Sequence, residues 1–203
     1  MSLPKSIHNL SNSLSSLPGV GPKLSNRLAV FLAINGRSVS KQLSESLKEV
    51  EENITQCREC GHISESDVCS ICLDSNRDSS LMIVVEDSLD LENMNSTGSY
   101  NGLFHVLNGC ISPVNGIGPD DLNIESLFPR IESRGVKELI FALNPDVEGD
   151  ATSIFIKNEL KNRVNDQDIE ITRLAKGIPT GSDIEFMSAQ TLSDSLRSRV
   201  VFE

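Results

Sequence analysis

Four of the five cysteines in this 203-residue sequence have the spacing of a metal site. They lie within sixteen residues, in the pattern Cys57-x2-Cys60-x8-Cys69-x2-Cys72. Each C-x-x-C pair offers two thiolates from one tight turn, and the eight intervening residues allow the second pair to complete a tetrahedron around Zn²⁺. Because four sulfurs leave no position for water or substrate, the pattern predicts a structural zinc site rather than a catalytic one.

Other interpretations of these cysteines remain open from the sequence. Two disulfides would need an oxidising compartment, and residues 1–16 lack the unbroken apolar segment of an export signal. A redox dithiol is disfavoured because it rarely uses two C-x-x-C units this close together. His62 lies inside the same loop, but four thiolates already fill the coordination sphere. Cys110 stands apart and is expected to be a buried thiol.

A second set of chemistry-bearing residues is acidic. Glu86 follows one short apolar run, whereas Asn144, Asp146 and Glu148 follow a later one. If both runs are parallel strands, their carboxyl ends share one edge of a sheet, where open α/β folds place their sites. Carboxylate oxygens suit Mg²⁺, which assists phosphoryl transfer. Asn144 is neutral and a poorer ligand, so we expect a cluster that does not catalyse, with Mg²⁺ binding left open.

The third set is a short glycine-containing turn followed by basic residues. Gly19 and Gly21 separate two amphipathic segments, and Pro22 suits the first position of the second helix. The N-terminus of that helix is an anion site, and Lys23 and Arg27 lie one turn apart on the same side. The pattern predicts binding to DNA phosphates without reading of bases. The simpler alternative is an ordinary turn with solvated charges.

The charge distribution agrees with a basic N-terminal module on an acidic body. The first 50 residues carry six Lys or Arg and two Glu, a net charge of +4, whereas the whole chain carries −11. The remainder therefore carries −15. Such a module can still bind phosphate, because the field of the body is screened within about 10 Å. No run approaches the roughly twenty apolar residues of a membrane span, and we expect a cytoplasmic protein.

Periodicity places these residues on elements of two kinds. The N-terminal part predicts an all-α module, and the later part alternates strands with helices, which indicates a parallel sheet with helices on both faces. Pro129 predicts a kink or a break in the middle helix of that part. The expected helices span about 5–16, 22–32, 38–54, 88–96, 121–134, 148–163 and 191–199, and the expected strands span 81–85, 103–107, 139–143 and 169–173.

Glu86 and the later Asn144-Pro145-Asp146-Val147-Glu148 resemble the Toprim domain of topoisomerases and primases. In that domain a Glu and an Asp-x-Asp-x-Glu hold Mg²⁺, so Asn144 departs from the catalytic pattern. The order of hairpin, four-cysteine finger and Toprim resembles the RecR family of bacterial recombination mediators. The segments that match this family are LPGVGPKLSNRLA (17–29), SPVNGIGPDDL (112–122), NPDVEGDAT (144–152) and 171–196. Asp146 stands where this family is expected to have a neutral residue.

The resemblance implies a DNA-repair factor without enzymatic activity. Its expected form is a homo-oligomer, a dimer or tetramer ring, that binds single- and double-stranded DNA through the backbone and works with RecO and RecF to load RecA. The Toprim face around Glu86 would engage RecO. The expected parts are a helix-hairpin-helix module at 1–55, the zinc finger at 56–73, the Toprim domain at 80–175 and a C-terminal oligomerisation segment at 176–203. A Mg²⁺-dependent Toprim nuclease and a zinc-stabilised adaptor for proteins are the alternatives.

Overall fold

The computed structural model describes residues 3–163 and 169–201, which form two compact units divided after Ile54. The first unit consists of three helices, in agreement with the prediction of an all-α module. They are α1 (Lys5–Ser15), α2 (Pro22–Ile34) and α3 (Arg37–Asn53).

Small and polar side chains join α1 to α2. The hydroxyl oxygens of Ser11 and Ser25 lie 3.1 Å apart in a buried hydrogen bond, and Ala29 and Leu32 are buried on the same helix as Ser25. None of the side chains of α3 is buried within this unit. Its apolar stripe is therefore exposed, and its members are Val39, Leu43, Leu47, Val50 and Ile54.

The second unit begins with a small knuckle and continues into a four-stranded sheet. In the knuckle, β1 (Thr55–Gln56) pairs with β2 (Ile63–Ser64) in antiparallel fashion, and α4 (Ser70–Leu73) follows. The sheet is entirely parallel, with the strand order β4-β3-β5-β6. Its strands are β3 (Asp78–Val85), β4 (Gly102–Val106), β5 (Glu138–Ala142) and β6 (Glu170–Arg173).

Side chains alternate between two cores on opposite faces of this sheet. Met82 and Val84 pack with residues of α6 and α7, whereas Ile83 and Val85 pack with α5 and the knuckle. This alternation is the period of two that a strand imposes. The helices are α5 (Ser88–Ser96), α6 (Leu127–Arg134), α7 (Val147–Arg163) and α8 (Ala189–Arg197). The predicted α/β class is confirmed.

Strand β4 lies at one edge of the sheet, and three of its carbonyl oxygens face outward at every second residue. Each accepts a hydrogen bond from a side chain: Gly102 from Arg77 at 2.9 Å, Phe104 from Arg130 at 2.5 Å and Val106 from Asn123 at 2.9 Å. The edge is thus covered by side chains rather than by a further strand.

The predicted helix over 121–134 is wrong in its first half. A short 3-10 turn spans Pro119–Asp121, and α6 begins only at Leu127. Leu122 and Ile124 are buried in a run of turns, in which Asn123 N donates to the carbonyl of Leu107 in the loop after β4. The kink or break predicted at Pro129 is also wrong, because Pro129 is the third residue of α6, which continues through it to Arg134. A first-turn residue needs no intrahelical acceptor for its N–H, so proline is tolerated there.

Candidate functional site

The four predicted zinc ligands come together in the knuckle. Their sulfur atoms all lie within 4.8 Å of one another. The first pair lies on the turn between β1 and β2, where Gly61 has a φ of +78°, and the second pair brackets the start of α4. All five cysteines are free thiols, so the hypothesis of two disulfides is wrong. The donor set consists of Cys57, Cys60, Cys69 and Cys72.

The electrostatics of this set suit a metal dication. Hydrogen bonding from Cys60 holds the pKa of Cys69 below its usual value, whereas donation to Cys69 raises the pKa of Cys60. The two sulfurs lie 3.6 Å apart. A bound dication replaces these shared protons with coordinate bonds to deprotonated sulfurs. Four buried sulfurs in a closed cluster therefore fit a structural Zn²⁺, whose contribution is to the folding of the knuckle.

His62 is not a fifth ligand. Its side chain is buried, and its Nε2 lies 3.1 Å from a carboxylate oxygen of Glu92 on α5. The knuckle is attached to the sheet nearby, because Val106 N donates to the carbonyl of Cys60 at 2.7 Å. The metal site is therefore fixed against both α5 and the edge strand β4.

Arg130 is a residue of this site that sequence reasoning missed. It lies on α6 and is 5% exposed, and its Nη2 donates to the sulfur of Cys72 at 3.3 Å. Its sequence context gives a weak signal at best, since an arginine in an amphipathic helix is ordinarily exposed. Only the tertiary structure brings it to the zinc ligands.

The acidic residues do gather at the carboxyl edge of the sheet, and each carboxylate accepts a hydrogen bond there at one of its oxygens. Asn144 Nδ2 donates to Oε2 of Glu86 at 2.7 Å, and Asp146 accepts a hydrogen bond from Gly149 N at 2.8 Å at the start of α7. Glu148 accepts from the hydroxyl of Ser112 at 2.5 Å. Within residues 3–163 and 169–201, the cysteine cluster is the one group of three or more His, Cys, Asp or Glu residues close enough to share a metal.

Several residues that support this edge were not singled out from the sequence. Thr152 donates to the carbonyl of Glu148 at 2.7 Å and accepts from Ile111 N at 2.9 Å. A Cβ at Gly149 would collide with the carbonyl oxygen of Asn144. Cys110, in contrast, was predicted to be a buried thiol, and it is buried. Burial, together with the nearby carboxylate of Glu86, raises its pKa to about 12, so this thiol is protonated at neutral pH.

The hairpin of the first unit has the conformation that its glycines predict. Gly19 has a φ of +77°, and Gly21 is the N-cap of α2, with Pro22 as the first helical residue. The side chains of Lys23 and Arg27 are exposed. The N–H of Gly21 and that of Lys23 have no acceptor within the part of the chain that the structure describes. Two free donors and two cations thus lie on the first turns of one helix.

No helix among the described residues has both the length and the apolar content required to cross a membrane.

Comparison with known families matches residues 80–175 to the Toprim domain and residues 54–74 to the four-cysteine zinc finger domain of RecR. Recombination protein RecR of Staphylococcus saprophyticus is 43% identical over 199 residues, which cover 98% of this chain and 98% of the relative. The protein of the same name in Staphylococcus aureus is 42% identical with the same coverage. The chain belongs to the RecR family. Its role is therefore in DNA repair and recombination, and its zinc is structural.

Membership of the RecR family also bears on the acidic edge. The relatives are named as recombination proteins and not as enzymes, although the Toprim domain is present. At the acidic edge, the carboxylates of Glu86, Asp146 and Glu148 each accept one hydrogen bond from within the fold.

Proposed function

We propose that this chain is a recombination mediator that binds DNA through backbone phosphates and performs no chemistry on it. The observation that carries the proposal is the start of α2, where free N–H groups and the exposed side chains of Lys23 and Arg27 occur together. A helix N-terminus attracts anions through its unpaired donors and its dipole. Such contacts hold single- and double-stranded DNA alike, because neither donor set reads bases.

The basic character continues along the same unit. Arg37, Lys41 and Lys48 lie on one face of α3, as the spacings of four and eleven residues require. Lys41 is 3.7 Å from Glu45, but both side chains are largely exposed, so this pair is weak and easily exchanged for a phosphate. The unit can therefore contact several phosphates in succession rather than one.

Oligomerisation, as a dimer or a tetramer ring, supports this mode of binding. The apolar stripe of α3 is exposed, and so are Phe186, Leu196 and Val200 of the C-terminal segment 176–203. Apolar surfaces of this kind commonly mark interfaces. Several weak phosphate sites on one assembly act at high effective concentration, so modest affinity per site suffices to hold DNA.

The proposed partners follow from the family and from the acidic body. RecO and RecF are the proteins with which this chain would load RecA onto DNA. The carboxyl edge of the sheet around Glu86 and Asn144 is the proposed contact for RecO, because its side chains are accessible and its charge favours a cationic surface. A nuclease activity is not favoured, since Asn144 supplies a neutral amide where the catalytic Toprim pattern has its first aspartate.

Charge reversal at the hairpin tests the DNA contact. In the double variant Lys23→Glu and Arg27→Glu, binding should be lost at moderate salt, with an unchanged circular dichroism spectrum. Each lost phosphate contact should also flatten the dependence of log affinity on log salt by about 0.9 for duplex and about 0.7 for single strands. Fluorescence anisotropy with labelled oligonucleotides measures both quantities.

The matched control is Lys157→Glu with Lys161→Glu, which has the same charge change and the same spacing on an exposed face of α7. This control should bind DNA almost as the parent does. Equal loss in the two double variants would mean that net charge, not the hairpin, determines binding. Unchanged affinity and slope in the hairpin variant would refute the proposal.

A further inference from the structure

Arg130 is a buried cation whose partners are unusual. Its side chain lies inside the fold, and its Nε has no hydrogen-bond partner. Among the described residues, no carboxylate oxygen lies within 4.0 Å of its nitrogens. A buried charge is costly unless it is paired. A group that compensates the charge of Arg130 is therefore expected among the atoms that its guanidinium contacts.

Three acceptors surround the guanidinium. Nη1 donates to the carbonyl of Phe104 at 2.5 Å and lies 3.5 Å from Nδ1 of His105, whereas Nη2 donates to the sulfur of Cys72 at 3.3 Å. The carbonyl is neutral. His105 is fully buried, and burial lowers its pKa to about 3, so it is neutral as well. Its Nε2 donates to the carbonyl of Asn123 at 2.7 Å, which leaves Nδ1 as an acceptor toward Arg130.

The sulfur of Cys72 is thus the one contact that can carry negative charge. When Zn²⁺ is bound by four thiolates, the cluster has two more negative charges than positive ones. We propose that Arg130 is the counter-ion and hydrogen-bond donor of the zinc site, and that it holds the zinc by stabilising the thiolate of Cys72. Hydrogen bonds to ligand atoms of this kind commonly change metal affinity by about 10- to 100-fold.

The position of Arg130 adds a structural consequence. It belongs to α6, which packs on one face of the sheet, whereas Cys72 belongs to the core on the other face. The guanidinium lies beside the outer edge of β4, where it donates a hydrogen bond to the carbonyl of Phe104 in that strand. The zinc knuckle, the edge strand and α6 are therefore coupled through one side chain, and loss of the metal leaves an uncompensated charge within the fold.

The simpler possibility is that Arg130 only fastens α6 to β4 through the carbonyl of Phe104. The two possibilities predict different electronic properties for the sulfur of Cys72. A purely structural arginine would leave the electronic state of the metal–thiolate bonds unchanged when it is replaced. A donor to Cys72 would not, because a hydrogen bond withdraws charge from the sulfur and raises the energy of thiolate-to-metal charge transfer.

The test uses the full chain with Arg130→Met and Arg130→Lys, and Arg134→Met as the matched control. Arg134 lies one turn further along α6 and also contacts the knuckle, but its Nη2 reaches Glu59 at 3.2 Å and no sulfur. Transfer of zinc to a chromogenic chelator should be about tenfold faster in Arg130→Met and nearly unchanged in Arg134→Met. With Co²⁺ in place of zinc, the thiolate charge-transfer band should move to longer wavelength only in the Arg130 variants.

Zinc transfer in Arg130→Met no faster than in Arg134→Met, or an unchanged cobalt band, would overturn the proposal. If Arg130→Met does not fold, Arg130→Lys decides the matter, because an ammonium group keeps the charge but cannot reach both the Phe104 carbonyl and the Cys72 sulfur. It should transfer zinc at an intermediate rate with an intermediate band position. Parental values of both in Arg130→Lys would show that sulfur donation by the guanidinium is not needed.

Discussion

Asn144 donates a hydrogen bond of 2.7 Å from its amide nitrogen to Oε2 of Glu86. This bond joins the residues that follow β5 and β3, at the place where two carboxylates would be needed to hold a metal against phosphate. Asn144 places an amide donor, rather than a second carboxylate, beside Oε2 of Glu86. The acidic edge of the sheet is stable as it stands, which agrees with a role in recognition rather than in catalysis.

Replacing Asn144 by Asp should turn this hydrogen bond into a repulsion. We expect a loss of up to about 1 kcal/mol in the free energy of unfolding at neutral pH, because the pair is exposed to solvent. Added Mg²⁺ should restore part of the loss by binding the new carboxylate pair. Thermal denaturation with and without Mg²⁺ measures both effects. Asn144→Ala is the control, since it removes the donor without adding charge, and an equal Mg²⁺ response in the two variants would contradict the explanation.

Cys69→Ser should abolish stoichiometric zinc binding. Removal of one thiolate leaves the metal with three sulfur ligands. The free energy that zinc binding contributes to folding, on the order of 10 kcal/mol, is then reduced. Metal analysis and urea denaturation measure the outcome. Cys110→Ser is the control because Cys110 is buried outside the cluster, and it should keep one zinc per chain. Full zinc content in Cys69→Ser would show that the knuckle does not need all four sulfurs.

Gly61→Ala should destabilise the attachment of the knuckle to β4. Gly61 has a φ of +78°, and an added Cβ would lie 2.7 Å from the carbonyl oxygen of Val106 and would collide with the amide of Asn123. Strain at such a position costs about 1–3 kcal/mol before the collision is counted. Gly98→Ala separates the two causes, because Gly98 has a φ of +66° with open space around it. If urea denaturation gives equal losses of unfolding free energy in Gly61→Ala and Gly98→Ala, the close contact of Gly61 with β4 does not contribute to stability.

His105 should make the protein less stable in mild acid. Burial lowers its pKa from 6.5 to about 3, so below pH 6.5 the unfolded chain binds a proton that the folded chain does not. Stability should therefore fall as the pH decreases from about 6.5 toward 3. The loss between pH 7 and pH 5 is expected to be about 2 kcal/mol from this group.

Urea denaturation at the two pH values in excess zinc measures this loss. His105→Gln should have lower stability at pH 7 but a smaller difference between the two pH values, because glutamine can donate to the same carbonyl without titrating. An equal difference in both proteins would assign the acid sensitivity to other groups.

Glu86→Lys should disrupt association with the RecO-like partner while zinc content and DNA binding are retained. The change places a cation at the accessible edge of the sheet, where the proposed partner surface is itself cationic. Isothermal titration with the partner provides the measurement. Glu170→Lys, at the opposite end of a strand of the same sheet, has the same charge change and should bind normally. Normal binding by both variants would remove this edge from the proposed interface.

The sequence could predict those features that depend on local spacing. The cysteine pattern indicated the metal site, because its ligands come from two turns that are close in the chain. Alternating and helical periodicities indicated the strands and most helices to within a few residues. The segment around Leu122 and Ile124 was misassigned, because these apolar residues are buried by turns that precede α6, and nothing in the local sequence marks Leu127 as the start of the helix.

The roles of Arg130 and Ser112 could not be predicted in this way. Each depends on a contact made far along the chain, with Cys72 and with Glu148 respectively. Arg130 has the composition of an exposed helical residue, and only the packing of α6 beside β4 buries it. Likewise, the engagement of the acidic residues by neighbours follows from tertiary structure, and the sequence showed only that the first aspartate of the Toprim pattern is absent.

The covered edge of β4 bears on how the protein behaves when its zinc is removed. Its outward carbonyls are occupied by three side chains, and the N–H of Val106 is held by the knuckle itself. A strand edge that loses such protection is a template on which other chains can add strands. Metal depletion should therefore release the N–H of Val106 and favour self-association through this edge. The zinc would then limit aggregation as well as stabilise the fold of the knuckle.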